Sequence, residues 1–75
     1  MASWDEAFAF YVANWELLLN AQMSPMRKSM AAVLLKDRTP QEILAHCEKV
    51  QAEAPGYSDP KELAKLFSRF ERREI

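Results

Sequence analysis

The hydrophobic positions divide the chain into stretches with the spacing of amphipathic helices, and a polar capping residue precedes each stretch. Residues 3–6 and 39–42 have the pattern of a capping box, in which Ser or Thr stands three positions before Glu. Ser24 and Asp59 are further capping residues, and each is followed by proline, whose missing N–H costs nothing at the first helical position. The pattern predicts helices at about residues 4–22, 25–36, 40–54 and 60–73.

No stretch alternates between apolar and polar residues in the way that a half-buried strand would. The sequence therefore predicts the all-α class. Its 75 residues are enough for one domain, with a core so small that stability is marginal. We expect residues 1–75 to form a single compact four-helix domain, with helix 1 at the centre and the other three around it.

Helix 1 has apolar residues on two faces. Its main face follows steps of three and four residues and contains Trp4, Phe8, Tyr11, Trp15 and Leu18. Phe10 and Leu17 point roughly 150° away from the centre of that face. No single flat surface can therefore cover both the main face and these two residues. We therefore predict that helix 1 contacts a second polypeptide. The residues predicted to bind protein are Phe10, Leu17, Trp4, Tyr11 and Trp15.

The later helices each have one apolar stripe, which we expect to pack on the main face of helix 1. In helix 2 the stripe is Met26, Met30, Val33 and Leu34, with Leu35 alongside. In helices 3 and 4 the stripes are Ile43, Leu44, Cys47, Val50 and Ala54, and Leu63, Leu66, Phe67 and Phe70. Flexible methionines also occur at adaptable binding surfaces, but the helical spacing of Met23, Met26 and Met30 favours the core.

Few residues are candidates for catalysis or metal binding. Cys47 and His46 are adjacent, and neighbouring helical side chains point about 100° apart, so they do not form a nucleophile and base pair. We expect Cys47 to be a buried thiol. His46 lies four residues after Glu42 and three before Lys49, so we expect it in a solvated helical pair. With one Cys, one His and one Gly, the chain has no intrachain disulfide, zinc ligand set or glycine-rich phosphate loop. We predict no catalytic residue, metal or cofactor; the competing enzyme hypothesis requires a low pKa for Cys47.

Charge is distributed unevenly along the chain. Residues 1–23 carry only acids, whereas residues 24–38 carry four bases against Asp37. Opposite charges on consecutive helices favour either an antiparallel hairpin or complementary contact between subunits. On helix 4 the bases recur every three or four residues and form a basic ridge: Lys61, Lys65, Arg69, Arg72 and Arg73. We predict that this ridge contacts a charged partner.

A nucleic acid is the less favoured partner, because the net charge of −1 lacks the basic excess of nucleic-acid binders. Membrane insertion is also not expected. The longest apolar run, residues 7–13, is far shorter than the roughly 20 residues of a membrane span. The polar residues of helix 1 are acidic or uncharged, so anionic lipid would repel it. We see no secretory signal and expect a cytoplasmic protein.

The predicted function is that of a small non-catalytic protein-interaction module. It would be an adaptor, regulator or inhibitor that docks on a larger protein and forms a homodimer through helix 1. The alternative is a nucleic-acid-binding regulator that uses the basic ridge. The sequence leaves open whether the excess apolar surface contacts a second copy or a foreign protein.

Overall fold

The computed structural model describes residues 2–74, and they form four α-helices. These are α1 (Trp4–Leu19), α2 (Pro25–Leu35), α3 (Pro40–Glu53) and α4 (Pro60–Glu71), with a 3-10 turn at Ala54–Gly56 after α3. None of residues 2–74 lies in a strand. The predicted all-α four-helix domain is therefore confirmed. Every helix begins at the predicted residue, and every helix ends one to three residues earlier than predicted.

The helix starts are fixed by local hydrogen bonds. The Ser3 hydroxyl accepts from the Glu6 N–H at 3.2 Å, and the Ser3 N–H donates to the Glu6 carboxylate at 3.1 Å. Thr39 and Glu42 repeat this capping box at the start of α3. These bonds satisfy amide groups that have no partner inside the helix.

Helix α1 ends three residues before its predicted end because of Asn20. This residue has left-handed backbone angles, with φ of 51°, and its N–H donates to the carbonyl of Glu16. Asparagine tolerates this conformation and is a common terminator of helices. The Glu16 carboxylate then accepts from the Met23 N–H at 2.8 Å, which fixes the turn into α2.

The core lies between α1, α3 and α4. Helix α1 packs mainly against α3 and also against α4. The largest buried side chains of the core cluster come from all four helices: Tyr11, Leu35, Ile43, Cys47, Val50, Leu63, Phe67 and Phe70. The stripes predicted for helices 3 and 4 therefore face inward, as expected.

Helix α2 packs through a different face from the predicted one. Ala31 and Leu35 are fully buried, whereas the predicted stripe is exposed to solvent. Arg27, Ala31 and Leu35 follow one another at four-residue steps and so lie on one side of the helix. This side turns inward because Arg27 pairs with Glu71 of α4 and the carbonyl of Leu35 accepts from the Trp4 indole N–H at 3.0 Å. The prediction that Met26, Met30, Val33 and Leu34 belong to the core is wrong.

Candidate protein-docking site

The exposed stripe of α2 is an apolar surface of four large side chains. Met26 is 76% exposed, Val33 65% and Met30 56%, and Leu34 is also exposed. These four side chains lie on one side of the helix, and we call them the α2 face. Met30, Val33 and Leu34, together with Ser29, line a shallow and almost entirely apolar depression. Contiguous apolar surface of this kind is typical of an interaction site.

The α2 face continues into a groove against α4. A second depression shares Met30 and Leu34 with the first and is bordered by Arg27, Ser68, Glu71 and Arg72. We call the two depressions together the α2–α4 groove. Two ion pairs border its apolar floor, Arg27 with Glu71 and Arg72 with Glu74.

The groove is held in place by a buried polar cluster that joins three helices. The Arg27 guanidinium donates to both carboxylate oxygens of Glu71 at 2.8 Å. The Tyr11 hydroxyl donates to the same carboxylate at 2.6 Å. Glu71 is only 3% exposed, so its charge depends on these partners. The cluster fixes the orientation of α2 relative to α1 and α4.

Both partners of Glu71 stay protonated. Burial raises the pKa of Tyr11 far above its ordinary value, and the neighbouring charge and hydrogen bond of Glu71 raise it further. The hydrogen bond to Glu71 also raises the pKa of Arg27. Tyr11 and Arg27 therefore remain hydrogen-bond donors across the physiological pH range.

The residues predicted on helix 1 for protein contact have different positions in the structure. Phe10 is half exposed and Leu17 is 77% exposed, and with exposed Ala13 they form a second apolar surface, which we call the α1 outer face. Trp4 and Trp15 are partly buried against the core. Tyr11 is fully buried, so it holds the fold together and presents no surface to a partner.

The basic ridge of α4 is exposed along its length. Lys61, Lys65, Arg69, Arg72 and Arg73 all face solvent. Local ion pairs reduce its charge, since Lys65 contacts Glu62 at 3.1 Å and Arg72 contacts Glu74 at 3.0 Å. Arg72 also borders the α2–α4 groove, so the ridge and the apolar surface meet at this residue.

His46 and Cys47 are both buried. Burial raises the pKa of Cys47 to about 11, so its reactive thiolate is scarce at neutral pH. His46 stacks on Phe70 with 3.9 Å between ring centroids, and burial lowers its pKa to about 4, aided by Lys49 and Arg38. The predicted solvated pair of His46 with Glu42 or Lys49 is wrong, because the His46 side chain is buried and Glu42 pairs with Arg38 at 3.3 Å.

Within the part of the chain that the structure describes, no group of three or more His, Cys, Asp or Glu side chains is placed to hold a metal ion. No helix among these residues is long and apolar enough to cross a membrane. Comparison of the chain with protein-family models, with curated proteins and with solved structures gives no match.

The α2–α4 groove is the part of the site that the sequence pattern missed. Its stripe has ordinary helical spacing, which is the same for a core face and for a docking face. The available signal was the cluster of methionines. In the structure Met23 is buried, whereas Met26 and Met30 lie exposed on the α2 face.

Proposed function

We propose that this protein is a small non-catalytic interaction module, an adaptor, regulator or inhibitor that docks on a larger protein through the α2–α4 groove. The observation that carries the proposal is the exposure of the α2 face on a helix whose other side is already anchored. Arg27, Ala31 and Leu35 attach α2 to the domain, so the fold does not need the exposed side.

The α2 face offers a partner a cluster of large apolar side chains to bury. Burying a large aliphatic side chain contributes about 1.5–3 kcal/mol, and this face has four such side chains on one rigid helix. Two of them are methionines, which adapt to the shape of a partner. A cluster of this kind supports specific binding when polar contacts surround it.

The cations beside the groove favour an acidic partner. Arg72 joins the groove to the exposed Lys61, Lys65 and Arg69 of α4. A basic ridge beside the groove accelerates the approach of an acidic surface and sets its orientation, while the apolar floor supplies most of the affinity.

Site-specific photocrosslinking in the cells that make the protein tests this proposal. A benzophenone side chain replaces Val33 on the α2 face, or exposed Gln41 on α3 as the matched control. We expect Val33 to give an adduct with a protein other than this chain, Gln41 to give none, and Met30→Glu to remove the Val33 adduct. Equal adducts at both positions, an adduct that survives Met30→Glu, or no foreign adduct at Val33 would overturn the proposal.

A further inference from the structure

The α1 outer face has the chemistry that the α2–α4 groove is suited to bind. Phe10, Ala13 and Leu17 recur at steps of three and four residues, so they form one narrow exposed strip. Glu6, four residues before Phe10, extends the strip with a negative charge. Residues 1–23 contain no basic side chain, so the whole helix is acidic. An acidic helix with exposed apolar side chains matches an apolar groove that meets the basic ridge at Arg72.

Pairing between identical faces is disfavoured by charge. Two α1 outer faces would bring acidic helices together. Two α2–α4 grooves would bring together two copies of the basic ridge, which meets the groove at Arg72. Only the pairing of α1 with the groove places opposite charges side by side and covers both exposed apolar surfaces.

We propose that a second copy of this chain docks its α1 outer face into the α2–α4 groove. Each contact joins the α1 outer face of one copy to the α2–α4 groove of the other. In a dimer with two-fold symmetry this contact forms twice, once in each direction, so no surface is left unpaired. The inference rests on the proposed function in one respect, which is that both use the α2–α4 groove. A foreign acidic helix would then compete with the second copy for the groove.

The first test is the solution mass of the purified protein over a dilution series, measured by light scattering after size exclusion. We expect twice the 8.7 kDa of one chain at high concentration and 8.7 kDa on dilution. Leu17→Ser on α1 and Val33→Ser on α2 should each raise the dissociation constant about tenfold or more, because each removes a large side chain from the contact. Ala52→Ser, an exposed change on α3, is the control and should leave it unchanged.

Mixing the two variants distinguishes unlike pairing from like pairing. A dimer of one Leu17→Ser copy and one Val33→Ser copy keeps one contact free of substitutions only if α1 meets the groove. The other contact then carries both substitutions, and a contact that one substitution has already weakened loses little from a second. We therefore expect the mixture to associate more tightly than either variant alone. Circular dichroism should show unchanged helicity, since both side chains are largely exposed.

Three results would overturn the inference: a mass of 8.7 kDa at every concentration, a dimer that survives either substitution, or a mixture no tighter than its components. Each of them leaves the proposed function standing, because that proposal depends on a foreign adduct at Val33. Conversely, a dimer without any foreign adduct would support this inference and remove the proposed function.

Discussion

Glu71 is the residue on which the arrangement of three helices depends. Its carboxylate is almost fully buried and receives hydrogen bonds from Tyr11 and from both terminal nitrogens of Arg27. A buried ion of this kind adds little stability over an apolar pair, but removal of one partner leaves a charge without compensation. The same cluster determines which side of α2 faces solvent.

Replacement of Arg27 by methionine should therefore destabilise the protein strongly. Met retains most of the length of the side chain but leaves the Glu71 charge uncompensated, so we expect a loss of roughly 3 kcal/mol in the free energy of unfolding. Urea denaturation followed by circular dichroism measures this loss. Lys65→Met removes the same charge from an exposed pair and should cost under about 0.5 kcal/mol. Equal effects of the two substitutions would contradict the role given to Glu71.

His46 should make stability depend on pH in the weakly acidic range. Its pKa is about 4 in the folded protein against 6.5 without burial, so between these values the unfolded chain binds a proton that the folded protein does not. The free energy of unfolding should therefore fall as the pH is lowered from about 6.5 to about 4, by up to about 3 kcal/mol.

Denaturation at several pH values, with His46→Gln as the comparison, measures this dependence. The groups beside His46 are Arg38, Glu42 and Lys49. Glu42 has a lowered pKa through its hydrogen bonds to Thr39, so its contribution to stability is lost only as the pH falls through 4.5 and below, and it is present in both proteins. If the free energy of unfolding of the parent protein fell no more steeply with pH than that of His46→Gln, the imidazole of His46 would not titrate as described.

At the scale of the helices, the starts were predictable, whereas the end of α1 and the orientation of α2 were not. Capping residues act within one turn, so Ser3, Thr39 and the prolines mark the starts in the sequence itself. The end of α1 depends on a left-handed Asn20, a conformation that asparagine permits but does not require. The orientation of α2 depends on a contact between Arg27 and Glu71, which are 44 positions apart.

The candidate site was also predictable only in part. Helical angles alone separated Phe10 and Leu17 from the main face of α1, and both side chains are exposed. The same reasoning could not distinguish Tyr11 from a surface aromatic, because its burial depends on Phe67 and Glu71 of α4. Pattern identifies a face within a helix, and contacts distant in sequence decide which face is buried.

Substitutions on the two sides of α2 should therefore have very different costs. Val33→Ser changes an exposed side chain and should shift the free energy of unfolding by under about 0.5 kcal/mol at concentrations where the chain is monomeric. Leu35→Ala creates a cavity at a fully buried position and should cost about 3 kcal/mol. Denaturant titration of dilute samples measures both changes. Similar costs for the two would mean that α2 packs in the orientation that its stripe predicted.

For the molecule as a whole, the question is whether the basic ridge binds nucleic acid. Lys65 and Arg72 are paired with local glutamates, and the net charge of the chain is −1. We expect duplex DNA to bind no more tightly than about 10 μM at physiological salt, because few unneutralised cations are present to release counterions. Fluorescence anisotropy with a labelled duplex measures this affinity. Tighter binding that weakens with salt and disappears in Lys65→Glu/Arg69→Glu would favour the alternative function.

The exposure of Met26 and Met30 also makes the α2 face chemically vulnerable. Peroxide converts exposed methionine to its sulfoxide, which is polar, whereas the buried Met23 is shielded. Mild oxidation would therefore turn an apolar binding surface into a polar, hydrated one while the helices stay folded. If a second copy covers this face, the protein would protect its own sulfur atoms when concentrated and lose that protection on dilution.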